Sequence, residues 1–223
     1  MALRKIVLAT DQIYHIYNRG VEKRPIFLNK RDYNRFIQLI NYYRFANCPV
    51  KFSQFKTLSR DSKNDLLDKL ESQSDKLIEI LVFCLMPNHI HFLCKQLKDN
   101  GISKFMNKLS SGYSHYFNTL NQRVGPLFQG NFKAVRIETD EQLIHTSRYI
   151  HLNPVSSYLI DFNSLESYDY SSYPEYVGMK TGFCNTGQIL SYFKSAQEYK
   201  EFVSNQVDYA RELENIKHLI LED

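Results

Sequence analysis

Hydrophobic residues follow strand-like patterns in four short segments. Residues 12–18 alternate between apolar and polar positions, and the apolar run 80–86 is followed by a second strand-like segment at 89–96. The turn-forming pair Pro87-Asn88 separates the last two segments, which predicts an antiparallel hairpin. Residues 132–138 have the pattern of a further strand. Together these segments predict a four-stranded sheet.

Between these strands, apolar residues recur at helical spacing. Residues 31–45 and 102–120 repeat apolar side chains three and four positions apart, which is typical of helices with one buried face. After the last strand, Thr139 and Gln142 have the spacing of a capping box and predict a third helix. Pro154 is expected to end that helix.

The order strand, helix, strand, strand, helix, strand predicts the fold class. It is the order of the α+β, ferredoxin-like split βαβ core, an antiparallel sheet with helices on one face. The third helix and a C-terminal helical and loop extension are additions to this core. We expect a domain at residues 1–155, with a charged, Ser-rich insertion at 52–77 that contains a short amphipathic helix, and an acidic extension at 156–223.

Charge is distributed unevenly along the chain. Residues 1–150 carry 23 Lys and Arg against 13 Asp and Glu, whereas residues 151–223 carry 5 against 11. A basic body predicts a polyanionic partner, although ordinary charge scatter in a soluble protein is the alternative. The 16 Tyr and 15 Phe residues include candidates for stacking on unpaired bases, but most are expected in the core.

Other features bear on the compartment. No apolar run approaches the ~18–20 residues needed to cross a bilayer, so no membrane association is expected. The N-terminal residues lack the pattern of a signal peptide. The four cysteines form no CxxC pair, which indicates free thiols in a reducing cytoplasm. We therefore expect a cytoplasmic protein.

Two histidines on the second hairpin strand are the first candidates for chemistry. His89 and His91 flank Ile90. On a strand, side chains two residues apart point to the same face, with about 6.5–7 Å between their backbone positions. Two imidazoles in this arrangement can converge on one metal ion, with Ile90 anchored in the core. The alternative is that both histidines are structural.

Tyr149 and Asn153 lie on the third helix. They are four residues apart, so they share one helical face with Cβ atoms roughly 6 Å apart. A tyrosine hydroxyl is a competent covalent nucleophile, and an amide oxygen can ligate a metal. The alternative is that Tyr149 packs and Asn153 caps the helix before Pro154.

These residues lie in motifs that resemble the single-tyrosine HUH transposases, especially the REP-associated tyrosine transposases and their relatives in bacterial insertion sequences. The resemblance covers about three quarters of the chain. It includes YHIYNRG (14–20), CLMPNHIHFL (84–93), FNTLNQRVGPLFQGNFKAVRI (117–137), RYIHLNPV (148–155) and YSSYPEY (170–176).

The resemblance implies a function and a site. Tyr149 would be the nucleophile, and His89, His91 and Asn153 would bind Mg²⁺ or Mn²⁺, although ligand softness alone suits Zn or Ni equally well. Some branches of the class have Gln at the position of Asn153. The implied activity is DNA transposition: metal-dependent cutting and rejoining of single-stranded DNA at hairpin-containing sites through a 5′-phosphotyrosine intermediate. The enzyme would be a monomer or a homodimer with the tyrosine supplied in cis or in trans.

Supporting roles are expected for several further residues. A phenol of ordinary pKa, ~10, is protonated at neutral pH, and Arg148 is a candidate helper for removing its proton. His15, His145 and His151 are expected to be supporting, and Tyr113 and Tyr116 to be core. Candidate contacts to DNA phosphates, each of which could also be a solvated charge, are Arg19, Lys23, Arg24, Lys104, Lys108, Lys133, Arg136 and Arg148.

Three other functions remain open at this point. The first is a hairpin-binding protein that does not cleave, which predicts binding without a covalent adduct. The second is a metal-dependent nucleotide hydrolase that uses water, which predicts indifference to Tyr149→Phe. The third is an interaction domain with structural histidines and an acidic tail that binds a partner.

Overall fold

A computed structural model describes residues 7–212 and contains one four-stranded antiparallel sheet. Its strands are β1 (Ile13–Arg19), β2 (Ile78–Met86), β3 (His89–Gln96) and β4 (Lys133–Arg136), in the spatial order β2-β3-β1-β4. The helices are α1 (Lys30–Tyr43), α2 (Phe52–Thr57), α3 (Arg60–Ser72), α4 (Gly101–Leu120), α5 (Asp140–Ser156), α6 (Tyr173–Tyr176), α7 (Gly187–Leu190) and α8 (Ala196–Ser204). The predicted ferredoxin-like core is confirmed.

The first face of the sheet is covered by α1 and α4. Alternate residues of β1, Tyr14 and Ile16, point to this face and are buried there. Helix α1 contributes Phe36 and Ile40, and α4 contributes Phe105, to the same core. Because each such side chain stabilises the fold by roughly 1.5–3 kcal/mol when buried, this layer contributes strongly to the stability of the sheet.

The second face is covered by α5 and by residues of the C-terminal extension. Ile150 and Leu152 of α5 pack with Val82 of β2, and Tyr176 and Tyr199 of the extension join the same core. Helix α5 lies over β2 and β3, so the side chains of β1 and β4 on this face border an open cleft. The domain boundary at residue 155 stays a prediction.

Helix α5 begins as predicted but continues past Pro154. Thr139 Oγ1 accepts from the Gln142 N–H at 3.1 Å, and Gln142 Oε1 accepts from the Glu138 N–H at 2.9 Å. The expectation that Pro154 ends the helix is wrong, because α5 extends to Ser156. A proline in the last turn removes only one helical donor, so the helix tolerates it there. Asn153 consequently keeps helical geometry.

The segment at 52–77 forms two short helices rather than one. Helices α2 and α3 pack on the end of α1 through Phe55 and Leu70, which contact a small core with Tyr42 and Phe45. The four cysteines are all reduced. Over residues 7–212, every helix is too short or too polar to cross a bilayer.

Candidate active site

The two histidines of β3 lie side by side on the cleft face of the sheet. His91 pairs with Tyr17 of β1, and His89 pairs with Arg19. Ile90 points to the opposite face and is fully buried. The centroids of the two imidazole rings are 5.0 Å apart. The strand therefore places both rings at one position in the cleft, as the HIH pattern predicts.

Asn88 determines the tautomer of His89. Asn88 Nδ2 donates to the backbone oxygen of Lys23 at 3.0 Å, which orients the amide. Asn88 Oδ1 is then 2.6 Å from His89 Nδ1. Because the amide oxygen can only accept, His89 Nδ1 carries a proton and the lone pair of the neutral ring lies on Nε2. This arrangement is typical of metal-binding histidines, whose second nitrogen donates to a fixed acceptor.

His15 supports His91 in a similar way. His15 Nε2 and His91 Nδ1 are 2.9 Å apart, and the rings are nearly parallel. Burial lowers the pKa of His15 to about 4, so His15 is neutral at neutral pH and its Nε2 can accept a hydrogen bond from the Nδ1–H of His91. In that tautomer the lone pair of His91 lies on Nε2. The supporting role expected for His15 therefore has a geometric basis.

Tyr149 and Asn153 of α5 face the same cleft. The Tyr149 ring meets the His91 ring edge-on, with 5.8 Å between centroids, and it lies 6.0 Å from the His15 ring. Its side chain is 42% exposed. Asn153 Nδ2 donates to the Tyr149 backbone oxygen at 2.8 Å, so Oδ1 is the end of the amide that can act as a ligand. Helix α5 thus brings a phenol and an amide oxygen to the paired histidines.

The cleft that contains these groups has a volume of about 900 Å³. Basic side chains contribute to its wall, namely Arg19 at the end of β1, Lys23 in the 3-10 turn that follows and Lys133 of β4. No carboxylate lies among the described residues that line it. A concave surface with cations and no acidic groups concentrates positive potential, which favours a phosphate-containing ligand.

The donor set fits a divalent metal. Each of the two imidazoles has its Nδ1 held by a neighbouring side chain, and one amide oxygen lies on the opposite wall. Within residues 7–212 there is no cluster of three His, Cys, Asp or Glu side chains that could hold an ion. His89, His91 and Asn153 are the residues that the resemblance implies as ligands, and all three line the cleft.

Arg148 does not point into the cleft. Its guanidinium lies over the Phe202 ring at 4.2 Å and donates to the Phe202 backbone oxygen at 3.3 Å. The second guanidinium nitrogen is 2.6 Å from His145 Nδ1. We therefore correct the expectation that Arg148 helps to deprotonate Tyr149, because adjacent residues on a helix point in directions about 100° apart.

The remaining predicted phosphate contacts lie elsewhere. Arg24 pairs with Glu22 at 2.6 Å, and Arg136 donates to Gln12 Oε1 at 2.7 Å. Lys104 and Lys108 are exposed on α4, which covers the other face of the sheet. Only three of the eight predicted basic residues line the cleft, namely Arg19, Lys23 and Lys133.

Sequence reasoning missed two residues of the site. Asn88 was treated only as a turn residue, although it directly precedes His89. Tyr17 lines the cleft with its ring centroid 6.0 Å from that of His91. Strand alternation would have found Tyr17, because it lies two residues after His15 and shares its face.

Comparisons with known proteins bear on the family and the fold of the chain. The family model described as "Transposase IS200 like" matches residues 42–153, half of the chain, and this range includes both histidines, Tyr149 and Asn153. No curated protein matches the chain. The chain is similar to a solved structure of a REP-associated tyrosine transposase bound to a REP hairpin, with a TM-score of 0.53 and 14% identity over 81% of this chain and 89% of the other. At this identity the likeness establishes the fold.

Proposed function

Because this chain belongs to the IS200-like transposase family, we propose that it cuts and rejoins single-stranded DNA at hairpin-containing sites with Tyr149 as nucleophile. The family match confirms the resemblance inferred from the sequence motifs. One observation carries the proposal: the Tyr149 ring lies 5.8 Å from the His91 ring within one cleft. A transposase of this kind needs a nucleophile and a metal-binding pair at one position, and this arrangement supports assigning both to one chain.

In the proposed reaction, the Tyr149 oxygen forms a bond to the scissile phosphorus and the bond from phosphorus to the 3′-oxygen breaks. The 3′-oxygen leaves with a proton as a 3′-hydroxyl, and the 5′-phosphate stays on the tyrosine. The phenolic proton passes to water, which reaches the exposed side chain. Because the phosphotyrosine bond retains the energy of the phosphodiester, a second 3′-hydroxyl can reverse the reaction and join strands without ATP.

Residues of the cleft would position the DNA for this attack. His89, His91 and Asn153 would hold Mg²⁺ or Mn²⁺. The bound ion would neutralise negative charge on the non-bridging phosphate oxygens. Lys23 and Lys133 would contact flanking phosphates of the strand. Asn88 and His15 would keep the two imidazoles in the tautomers that metal binding requires.

The test is a trapping assay with a single-stranded oligonucleotide that forms a hairpin and carries flanking single strand. With Mg²⁺ or Mn²⁺, wild type should form a protein–DNA adduct that survives denaturing electrophoresis. Tyr149→Phe should form no adduct yet bind the oligonucleotide normally. Tyr158→Phe, a change of another exposed tyrosine at the cleft, is the matched control and should keep the adduct.

Two outcomes would overturn the proposal. An adduct that persists in Tyr149→Phe would place the nucleophile elsewhere. Binding by wild type without any adduct, in the presence of either metal, would favour the alternative of a non-catalytic hairpin-binding protein.

We also propose that Tyr149 acts in cis, since the tyrosine lies beside the histidines of its own chain. Mixing the His91→Ala variant with the Tyr149→Phe variant should then give no adduct, because neither chain has a complete site. Recovery of adduct on mixing would instead indicate a dimer that exchanges tyrosines.

A further inference from the structure

A second concave surface lies on the side of the sheet opposite the cleft. It runs between α1 and α4 and is bordered by α2, with a volume of about 840 Å³. Leu39 and Tyr43 of α1 and Gly112 of α4 form its floor, and Phe52 of α2 forms one wall. We call this surface the α1–α4 groove. It shares no lining residue with the cleft.

The α1–α4 groove is basic. Arg35, Lys51, Lys56 and Lys108 line it, and no carboxylate occurs among its described lining residues. Across residues 7–212, none of these four cations forms a salt bridge. Lys108, predicted from sequence to contact phosphate, therefore lies in this groove. A row of cations along an otherwise apolar groove complements a polyanion that also carries apolar or aromatic groups.

Aromatic rings of fixed orientation line the same groove. The Arg35 guanidinium lies 4.8 Å from the centroid of the Tyr116 ring and 5.4 Å from that of Phe52. The Tyr116 hydroxyl donates to Asp32 Oδ1 at 2.9 Å and accepts from Arg31 Nε at 3.2 Å. Both rings are only partly exposed and Arg35 covers part of each, so the surface offered to a base is the guanidinium together with the ring edges beside it.

Gly112 keeps the floor of the groove open. Glycine inside a helix is destabilising by roughly 0.5–1 kcal/mol relative to alanine. A Cβ atom at this position would lie 3.5 Å from the Tyr43 ring and 3.6 Å from Leu39, which is ordinary contact. Packing therefore does not require glycine here. A longer side chain would project into the groove.

We propose that the α1–α4 groove binds a short stretch of single-stranded nucleic acid, independently of the cleft. Phosphates would contact Lys51, Lys56 and Lys108, and unpaired bases would stack near Phe52 and Tyr116. Single strands fit this surface better than duplexes because only unpaired bases expose their faces to protein rings.

The first test measures the binding of a fluorescent 12-nucleotide oligothymidylate by anisotropy. The background carries Tyr149→Phe, which removes cleavage, and Lys23→Gln and Lys133→Gln, which weaken binding in the cleft. In this background, replacing Lys51, Lys56 and Lys108 together by Gln should weaken binding at least tenfold. It should also reduce the slope of log affinity against log salt by about 2, as expected for loss of roughly three phosphate contacts to a single strand. The matched control replaces three exposed lysines that line neither surface, Lys69, Lys180 and Lys194, by Gln. This control should change affinity less than twofold.

The second test changes the shape of the groove without changing its charge. Gly112→Leu should weaken binding about fivefold or more, whereas Gly112→Ala should bind like the parent protein. Circular dichroism of both variants establishes that each is folded. The inference is overturned if the triple lysine variant and Gly112→Leu both bind as tightly as their controls, and an acidic protein segment would then be the better occupant.

A third measurement locates the bound strand. An oligonucleotide with 5-iodouracil should form photo-crosslinks to peptides containing Phe52 or Tyr116. Crosslinks confined to cleft peptides, those with Tyr17 or Tyr149, would also overturn the inference. None of these results depends on whether Tyr149 forms an adduct, so failure of the proposed reaction can be distinguished from failure of the groove.

Discussion

Helix α5 carries two polar pairs with the same spacing and different environments. Ser147 and His151 are four residues apart and 0% exposed, whereas Tyr149 and Asn153, also four apart, face the cleft and Tyr149 is 42% exposed. The two pairs lie on different faces of one helix. One face of α5 therefore attaches the helix to the protein, and the other presents the candidate chemistry.

The attaching face forms a buried hydrogen-bond network. His151 Nδ1 is 2.7 Å from the Tyr199 hydroxyl, and His151 Nε2 is 2.8 Å from Ser172 Oγ. Ser172 Oγ accepts from the Phe83 N–H of β2 at 3.0 Å, and the Tyr199 hydroxyl is 3.2 Å from Ser147 Oγ. The network joins α5 to the sheet and to α8. Helix α8 of the C-terminal extension thus contributes to the position of Tyr149, although no residue of α8 lines the cleft.

The largest expected effect is on stability, from His151→Ala. The change removes a buried ring and leaves the polar groups of Tyr199 and Ser172 without their partner, which should lower the free energy of unfolding by about 3–5 kcal/mol. Urea unfolding measures it. His145→Ala, on an exposed part of the same helix, is the control and should cost under about 1 kcal/mol. Equal losses for the two variants would contradict the comparison.

His89→Ala and His91→Ala should affect the cleavage reaction, in contrast to the stability effect of His151→Ala. Each should reduce the rate of adduct formation by more than ~100-fold. Loss of a residue that only supports a metal ligand already costs about 10–100-fold, so loss of the ligand itself should cost more. The His89→Ala variant should unfold within about 1 kcal/mol of wild type, because that side chain is only partly buried. Single-turnover cleavage at several Mn²⁺ concentrations is the measurement. Cleavage at the wild-type rate in either variant would exclude the proposed ligand pair.

The pH dependence of stability should identify the buried network. Burial lowers the pKa of His151 to about 3, below the 6.5 of an unfolded histidine. On acidification the unfolded chain takes up this proton first, so the contribution is complete above pH 6.5 and is lost as the pH falls toward 3. Between pH 7 and pH 5, wild type should lose about 2 kcal/mol more stability than His151→Asn.

His15 remains in both of these proteins. Its pKa is also lowered, so its contribution to the pH dependence cancels in the comparison. Identical pH dependence of the two proteins in urea unfolding would mean that His151 is not buried as a neutral ring.

The smallest effects are expected from Tyr199→Phe and Tyr149→Phe, each of which removes one phenolic oxygen. Tyr199→Phe should cost about 1–2 kcal/mol of unfolding free energy, because its hydroxyl bonds to the fully buried His151. Tyr149→Phe should cost under ~0.5 kcal/mol, because its side chain is partly exposed. Thermal unfolding of the two variants measures how much each hydroxyl stabilises the protein. Adduct formation by Tyr199→Phe measures whether the change in the buried network also affects the reaction. A larger loss for Tyr149→Phe would reverse the assignment of the two faces.

Residue order alone predicts most of the helices and strands and the local geometry of the site. Alternation along β3 places His89 and His91 on one face, and the four-residue spacing on α5 pairs Tyr149 with Asn153. These relations depend only on the regular geometry of a strand and a helix, so they follow from the order of residues. The prediction that Pro154 ends α5 was wrong because the cost of a proline depends on its place within the helix.

Which residues meet across the fold depends on how the helices pack on the sheet. His151 and Tyr199 are 48 positions apart, and His15 and His91 are 76 positions apart, so no local periodicity relates them. The packing of α5 and α8 on the sheet turned Arg148 toward Phe202 and left Tyr149 facing the histidines. Contacts between distant segments are set by which apolar faces are buried together, and that is a property of the whole folded chain.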